Sequence, residues 1–277
     1  MKSNKRFFFW CVIFGLIVLM SVFSTFLSPY SVNEMNLDDV YAAPGNGHLL
    51  GTDHLGRDVF TRLLHGGKVT LTVAFGSVLL SLVIGVLYGG VSGYLGGWVD
   101  SMMMRVLEAL ISIPSLILVL AFQAIMQGGM WGMTFIIGVT GWFTTARIIR
   151  SEFIRLKEAE YVQMAKLFGT PVWKIMTGHL LRNSLAPLFV VTIFNLASAV
   201  FIEVSLSFLG IGIPPAIPSW GNMLYNAQSD LLIGAWWIGL FPGMLIFMTV
   251  LSINFIGEGL KDSERRLFYA RSKKVVN

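Results

Sequence analysis

Six stretches of this chain run apolar for about twenty residues at a time, the length a helix needs to cross a bilayer. They cover 7–27, 69–90, 106–126, 131–149, 185–209 and 231–256. A helix of twenty-odd residues, rising about 1.5 Å per residue, spans the roughly 30 Å of hydrocarbon in a membrane. Inside hydrocarbon the backbone must satisfy its own hydrogen bonds, and a helix does so within one segment. The expectation is an all-α membrane protein with six transmembrane helices. Composition agrees: 55% of the 277 residues are hydrophobic, 13% are charged and the mean hydropathy is +0.72. A soluble domain carries roughly 25% charged residues.

Six crossings leave both ends on one side, and charge says which. Seventeen of the 20 Lys and Arg fall in the N-terminus, beside Arg105, in the stretch 147–182 and in the tail. The opposite loops hold only Arg57, Arg62 and Lys68. Cytoplasmic loops are the ones enriched in Lys and Arg, so both termini are expected in the cytoplasm. The resulting plan is a cytoplasmic N-terminus at 1–6, a first membrane helix at 7–28 and an outer segment at 29–68. A five-helix core at 69–260 includes the stretch 147–182, and a basic cytoplasmic tail follows at 261–277. The first run ends in Ser28-Pro29-Tyr30 with no small-x-small cleavage site, so it reads as an uncleaved helix. The sequence pI near 9.4 reflects cations at the ends of apolar runs, as membrane topology demands, and not a nucleic-acid partner. The single cysteine, Cys11, supports neither a disulfide nor a metal cluster.

The stretch 147–182 is the one long, charged, helix-patterned segment inside this chain, and it is written as helix, corner, helix. From 152 to 168 the residues are good helix formers, and Ile154, Tyr161, Ala165 and Phe168 recur at helical spacing. Gly169 should end that helix in the left-handed conformation. Thr170 then reads as an N-cap and Pro171 as a first-turn proline. A second short helix should follow, with Val172, Ile175, Met176 and Leu180 on one face.

Catalytic and nucleotide-binding signatures are missing. His65-Gly66-Gly67-Lys68 lacks the upstream glycine and the following Ser or Thr of a phosphate loop, so the chain is not expected to bind ATP. His48, Asp53, His54 and Asp58 read as polar loop residues making local hydrogen bonds, and no metal is assigned to them. Within the spans, Glu203 either lines a translocation path or hydrogen-bonds the outer loop; Asn195 lies two turns earlier on a similar face. Glu108 sits where it can pair with Arg105. Pro114 should kink the third span, for gating or for packing. Gly85, Gly89, Gly90 and Gly93 read as close helix packing. A stand-alone secondary transporter or channel is the competing class; it would need intramembrane ion relays, and only Glu203 and Glu108 offer themselves.

Three stretches resemble a known family. The chain has Gln163-Met164-Ala165, three residues, Gly169, nine residues, His179, one residue and Leu181-Arg182. Permease subunits of binding-protein-dependent ABC importers carry Glu-Ala-Ala, Gly, Ile and Leu-Pro at those places, so Ala165, Gly169 and Leu181 agree while Gln163, Met164, His179 and Arg182 depart. The segment 50–64, Leu-Gly-Thr-Asp-His-Leu-Gly-Arg-Asp-Val-Phe-Thr-Arg-Leu-Leu, is similar to the outer segment of the "C" permease of the dipeptide/oligopeptide/nickel subfamily. Ser205-Leu206-Ser207-Phe208-Leu209-Gly210-Ile211-Gly212 and Pro218-Ser219-Trp220-Gly221 resemble the fifth helix and outer loop of the same subunit.

That resemblance implies a non-catalytic subunit in the prokaryotic cytoplasmic membrane, surrounded by lipid, and forming half of a path for peptides, nickel or metal chelates. Its implied partners are a second, homologous permease in a heterodimer, two ATP-binding subunits carrying ATP and Mg, and an extracytoplasmic substrate-binding protein. The residues it implies for ATPase coupling are Gln163, Ala165, Gly169, Thr170, Pro171 and Leu181. Gln163 keeps hydrogen bonding but loses the charge that the family's Glu would offer an ATPase arginine. The path residues expected from the sequence are Asn195, Glu203 and Pro114.

Overall fold

The computed structural model describes the backbone of residues 2–45, 47–126 and 128–276, with side chains from 5 to 263 apart from 46 and 127. Five crossings are single stretches: Lys5–Val22, Val59–Leu95, Gly129–Lys157, Leu185–Phe208 and Trp237–Ser263. Where the third span is expected there are two helices, Gly97–Ile111 and Ser115–Ile125, bent by 83°, the form of a broken span or a re-entrant loop. The fold is all-helical among the described residues, with one isolated antiparallel bridge, Thr52 to Asp58.

The first helix, α1 (Lys2–Val22), is followed by a short α2 (Ser24–Leu27) and an irregular loop. The central helix, α3 (Val59–Leu95), starts ten residues before its apolar run. Asp58 explains the early start: its side chain accepts from the Thr61 N–H at 2.7 Å and caps the helix. Such a cap stabilises a helix by about 1 kcal/mol, so the last ten residues of the expected outer segment are helical.

Next come α4 (Gly97–Ile111) and α5 (Ser115–Ile125). The expected kink at Pro114 is a full break: α4 ends at Ile111 and Pro114 takes an extended ψ of 129° just before α5. Proline disfavours helical backbone in the residue before it and supplies no N–H to the preceding turn. Ser112 turns its hydroxyl onto the carbonyls of Glu108 and Ala109, closing the end of α4. Among the described residues no ion pair joins Glu108 to Arg105; both are exposed.

The fourth crossing joins α6 (Gly129–Thr140) to α7 (Phe143–Lys157). Helix α3 packs along both, and its glycines are what let α7 approach. A Cβ on Gly89 would lie 2.2 Å from the Ala146 carbonyl oxygen, and one on Gly93 would lie 2.7 Å from that of Arg150. Small residues four apart let two helix backbones come close. A half-buried bidentate pair, Arg150 Nε and Nη2 to Asp100 at 2.5 Å each, ties α7 to the first turn of α4. Ser92 on α3 donates to the same carboxylate.

The fifth crossing, α10 (Leu185–Phe208), leads to an outer helix, α11 (Trp220–Asp230), and then to α12 (Trp237–Val276). The expected sixth span therefore starts six residues late, since Leu231–Ile233 form a single tight turn that belongs to the outer surface. The main core sits among α1, α3, α6, α10, α11 and α12 around Trp220, Val73, Met133 and Ile253. A second cluster around Ile149, Phe153, Val162 and Leu180 holds the stretch 147–182 to the ends of α3 and α10.

Candidate functional site

The stretch 147–182 folds as three pieces. Helix α7 ends at Lys157; α8 (Glu160–Leu167) follows after a break at Glu158 and Ala159. The expected single helix over 152–168 is thus two. Ala159 adopts an extended backbone, ψ 140°, and the Gln163 side chain reaches back to donate to the Lys157 carbonyl at 2.8 Å. That bond occupies one of the orphan carbonyls at the end of α7. The break also changes the phase of the helix. The inward face is Phe153, Leu156 and Val162, all buried, whereas the expected stripe of Ile154, Tyr161 and Phe168 faces out.

The corner is as the sequence requires at Gly169. Its φ is +74°, and the Thr170 N–H bonds the Ala165 carbonyl while the Gly169 N–H bonds that of Lys166, each at 3.0 Å. These two bonds are the closing pair of a Schellman motif. The next helix carries no side-chain cap, so Thr170 does not act as its N-cap. Pro171 occupies the cap position instead, with ψ 145°, and its carbonyl accepts from Lys174 and Ile175. The second helix is one turn, α9 (Val172–Lys174), running into a π-helix over Ile175–Leu181. A π-helix closes its hydrogen bonds five residues apart, and it buries Ile175 together with Leu180, which are five apart. Leu181 packs half-buried beside them, Met176 joins the same cluster, and Val172 is exposed.

Exposure is concentrated at the corner. Leu167 and Phe168 are 80% and 81% exposed, and Trp173 beside them is 63% exposed. Water penalises such surface by roughly 25 cal/mol per Å², and a contiguous apolar patch on a polar element marks an interaction surface. The corner is held rigidly beneath that patch. Lys157 donates to the Tyr94 carbonyl at 2.8 Å, and the ammonium groups of Lys157 and Lys166 lie 5.8 and 5.9 Å from the Tyr94 ring centre. Tyr94, at the end of α3, fits the family resemblance together with Gly93, but the sequence assigns it no contact with the lysines of 157–166.

The intramembrane residues separate into two places. Asn195 donates to Thr145 Oγ1 at 2.9 Å and borders a cavity of about 40 Å³ with Ser77, Ser81 and Ser198. That is room for a water molecule among polar partners. Glu203 is fully buried where α10 meets α3 and the start of α11. Ser207 donates to its Oε1 at 2.9 Å, and the hydroxyls of Thr70 and Ser219 border the same carboxyl. Its Oε2 has no hydrogen-bond partner among the described residues. The adjoining Trp220 is locked to α3, its backbone N–H on Thr70 Oγ1 and its indole N–H on the Leu63 carbonyl. Pro114 is exposed at the bend and touches neither place.

The outer histidines and carboxylates go to separate protein partners. His48 Nδ1 is 2.9 Å from Asp58, His54 is 3.6 Å from Asp230, and Asp53 pairs with Arg57 at 2.7 Å and Arg62 at 3.7 Å. The segment 50–58 is thereby a stapled loop leading into α3, and it also receives the Trp237 indole on the Thr52 carbonyl.

The described helices thus form an apolar helical core with an exposed apolar corner at 167–173 and a stapled loop before α3. Residues 81–263 match the family described as binding-protein-dependent transport system inner membrane component. Residues 1–44 match the N-terminal TM domain of oligopeptide transport permease C. The chain is 38% identical over 263 residues to the dipeptide transport system permease protein DppC of Bacillus subtilis, covering 95% of this chain and 82% of that one. It is 32% identical to the oligopeptide transport system permease protein OppC of Bacillus subtilis, covering 95% and 86%. It is 34% identical to the glutathione transport system permease protein GsiD of Pectobacterium atrosepticum, covering 90% and 82%. The chain belongs to the binding-protein-dependent transport system inner membrane component family. It is a non-catalytic, multi-pass permease subunit of an ABC importer in the bacterial inner membrane.

Proposed function

We propose that this subunit forms one half of a heterodimeric path for short peptides and takes its power stroke through the Gly169 corner. A second permease supplies the other half. Each permease seats one ATPase, which carries the ATP and Mg, and an extracytoplasmic binding protein delivers peptide to the outer surface. The observation that carries this reading is the exposed apolar corner, Leu167, Phe168 and Trp173, on a rigid cytoplasmic element with no phosphate loop of its own. A groove in an ATPase would cover that surface. Closure of the ATPases would push the corner, and the bonds of Gln163 and Tyr94 would pass the push into α7 and α3. Peptides are favoured over nickel or chelates because the relatives carry dipeptide, oligopeptide and glutathione transport in their names.

Gly169→Asp tests it. No neighbour lies within 4 Å of the Cβ, so the change strains the left-handed backbone by about 1–2 kcal/mol without a clash. In the reconstituted importer the expected result is normal insertion, ATP hydrolysis retained and uptake lost. Normal uptake would remove the docking role. A gently purified, tagged subunit is expected to bring down an ATPase and a second permease; transport by the subunit alone without ATP would establish the stand-alone reading instead.

A further inference from the structure

The outer surface carries a second built site. A cavity of about 390 Å³ opens between the first outer loop and the end of α11, lined by Tyr41, His54, Tyr225, Asn226, Gln228 and Asp230 among others. Its volume falls in the range of small-molecule sites, about 300–1,000 Å³. Asp230 is 2% exposed. One carboxylate oxygen, Oδ1, accepts from the Tyr41 hydroxyl at 2.9 Å and from Ser229 at 3.3 Å. Among the described residues the other, Oδ2, has no hydrogen-bond partner, and neither does His54 Nδ1, whose 3.6 Å approach to it is an ion pair only when the imidazole is protonated.

We propose that this cavity receives the ammonium end of a short peptide, with Asp230 as its anion; the assignment rests on the peptide-import reading above. A buried carboxylate oxygen left unpaired is costly, and a cationic donor removes the cost. The position adds to that pull, because Asp230 is the last residue of α11 and a helix C-terminus favours positive charge. The nearby guanidiniums do not answer it: Arg57 and Arg62 pair with Asp53. A primary ammonium brings three donors. The cavity offers Asp230 Oδ2, His54 Nδ1 with its proton on Nε2, and the side-chain oxygens of Asn226 and Gln228. The rings of Tyr41 and Tyr225 supply faces that attract a cation.

The test uses the whole importer in proteoliposomes, saturated with its binding protein, and compares uptake of trialanine with N-acetyl-trialanine. Permeases carrying Asp230→Asn or His54→Lys are set against the unaltered one. His54→Lys places the protein's own ammonium at the rim of the cavity, where the side chain is 33% exposed and a larger group is accommodated. The binding protein is the same in every arm, so its own preference cancels. The expected result is a preference for the free amine that falls about tenfold in both variants, the size of one charge-assisted bond, with affinity for the binding protein unchanged. An equal preference in all three, with uptake intact, overturns the site and leaves peptide import standing. Equal loss of both peptides with weaker binding-protein affinity also overturns it, assigning Asp230 to a basic side chain of that protein. If Asp230→Asn fails to assemble, His54→Lys alone decides by the same ratio. Uptake of neither peptide by the unaltered importer removes the peptide reading itself.

Discussion

Gln163 shows how much geometry one side chain can set. Its amide bridges a break in the helix by bonding the Lys157 carbonyl, so the angle between α7 and α8 depends on it. Gln163→Leu removes that bond, at about 1 kcal/mol. Membrane abundance is expected to hold while peptides moved per ATP hydrolysed fall, a ratio that parallel uptake and phosphate-release assays give directly. Glu203 poses a different question, because it stands in a clasp with Ser207, Thr70 and Ser219 beside the locked Trp220. Glu203→Gln keeps an acceptor for Ser207 and is expected to insert normally while lowering uptake several-fold. Unchanged uptake would assign the residue to holding the outer loop alone. Gly169 could be read from sequence because only a left-handed residue fits a helix end followed by Thr-Pro. The partner of Gln163 could not, since it depends on where α7 stops.

At the level of elements, the α3–α7 contact and the Asp100–Arg150 pair make the sharpest expectations. Gly89→Val drives two methyls into the Ala146 backbone, and overpacking of this kind costs typically 1–3 kcal/mol. Lower membrane yield and a lower Tm in detergent are expected, whereas Gly178→Val, with nothing within 4 Å, should leave both unchanged. Arg150→Asp should destabilise the junction of α4 and α7, and the double exchange with Asp100→Arg should recover part of the loss. A double exchange no better than the single one would show that the pair does not hold the junction. The long helices were legible because length and apolar content decide them. The breaks were not: the 83° bend at 112–114, the step at Ala159 and the π-turn at Ile175–Leu181 are settled by what packs against them. The exposed stripe of Ile154, Tyr161 and Phe168 was misleading for the same reason, since apolar spacing does not say which side of a helix is covered.

For the whole molecule, the charge distribution predicts an orientation that labelling can check. In a Cys11→Ser background, Leu49→Cys on the stapled loop is expected to react with a membrane-impermeant maleimide in intact spheroplasts. Leu167→Cys at the corner should react only after permeabilisation; both positions are well exposed. The reverse pattern would invert the topology. One helix then matters beyond its place in the core. With 37 residues, α3 measures about 55 Å, nearly twice the hydrocarbon thickness. It is capped in the stapled loop at one end and pressed against Lys157 and Lys166 at the other. It has no internal proline, so the corner and the stapled loop are joined by one continuous helix, with the paired glycines Gly66-Gly67 and Gly89-Gly90 as its softest points. The broken pair α4 and α5, bent by 83°, offers no such continuous route from one end of the molecule to the other.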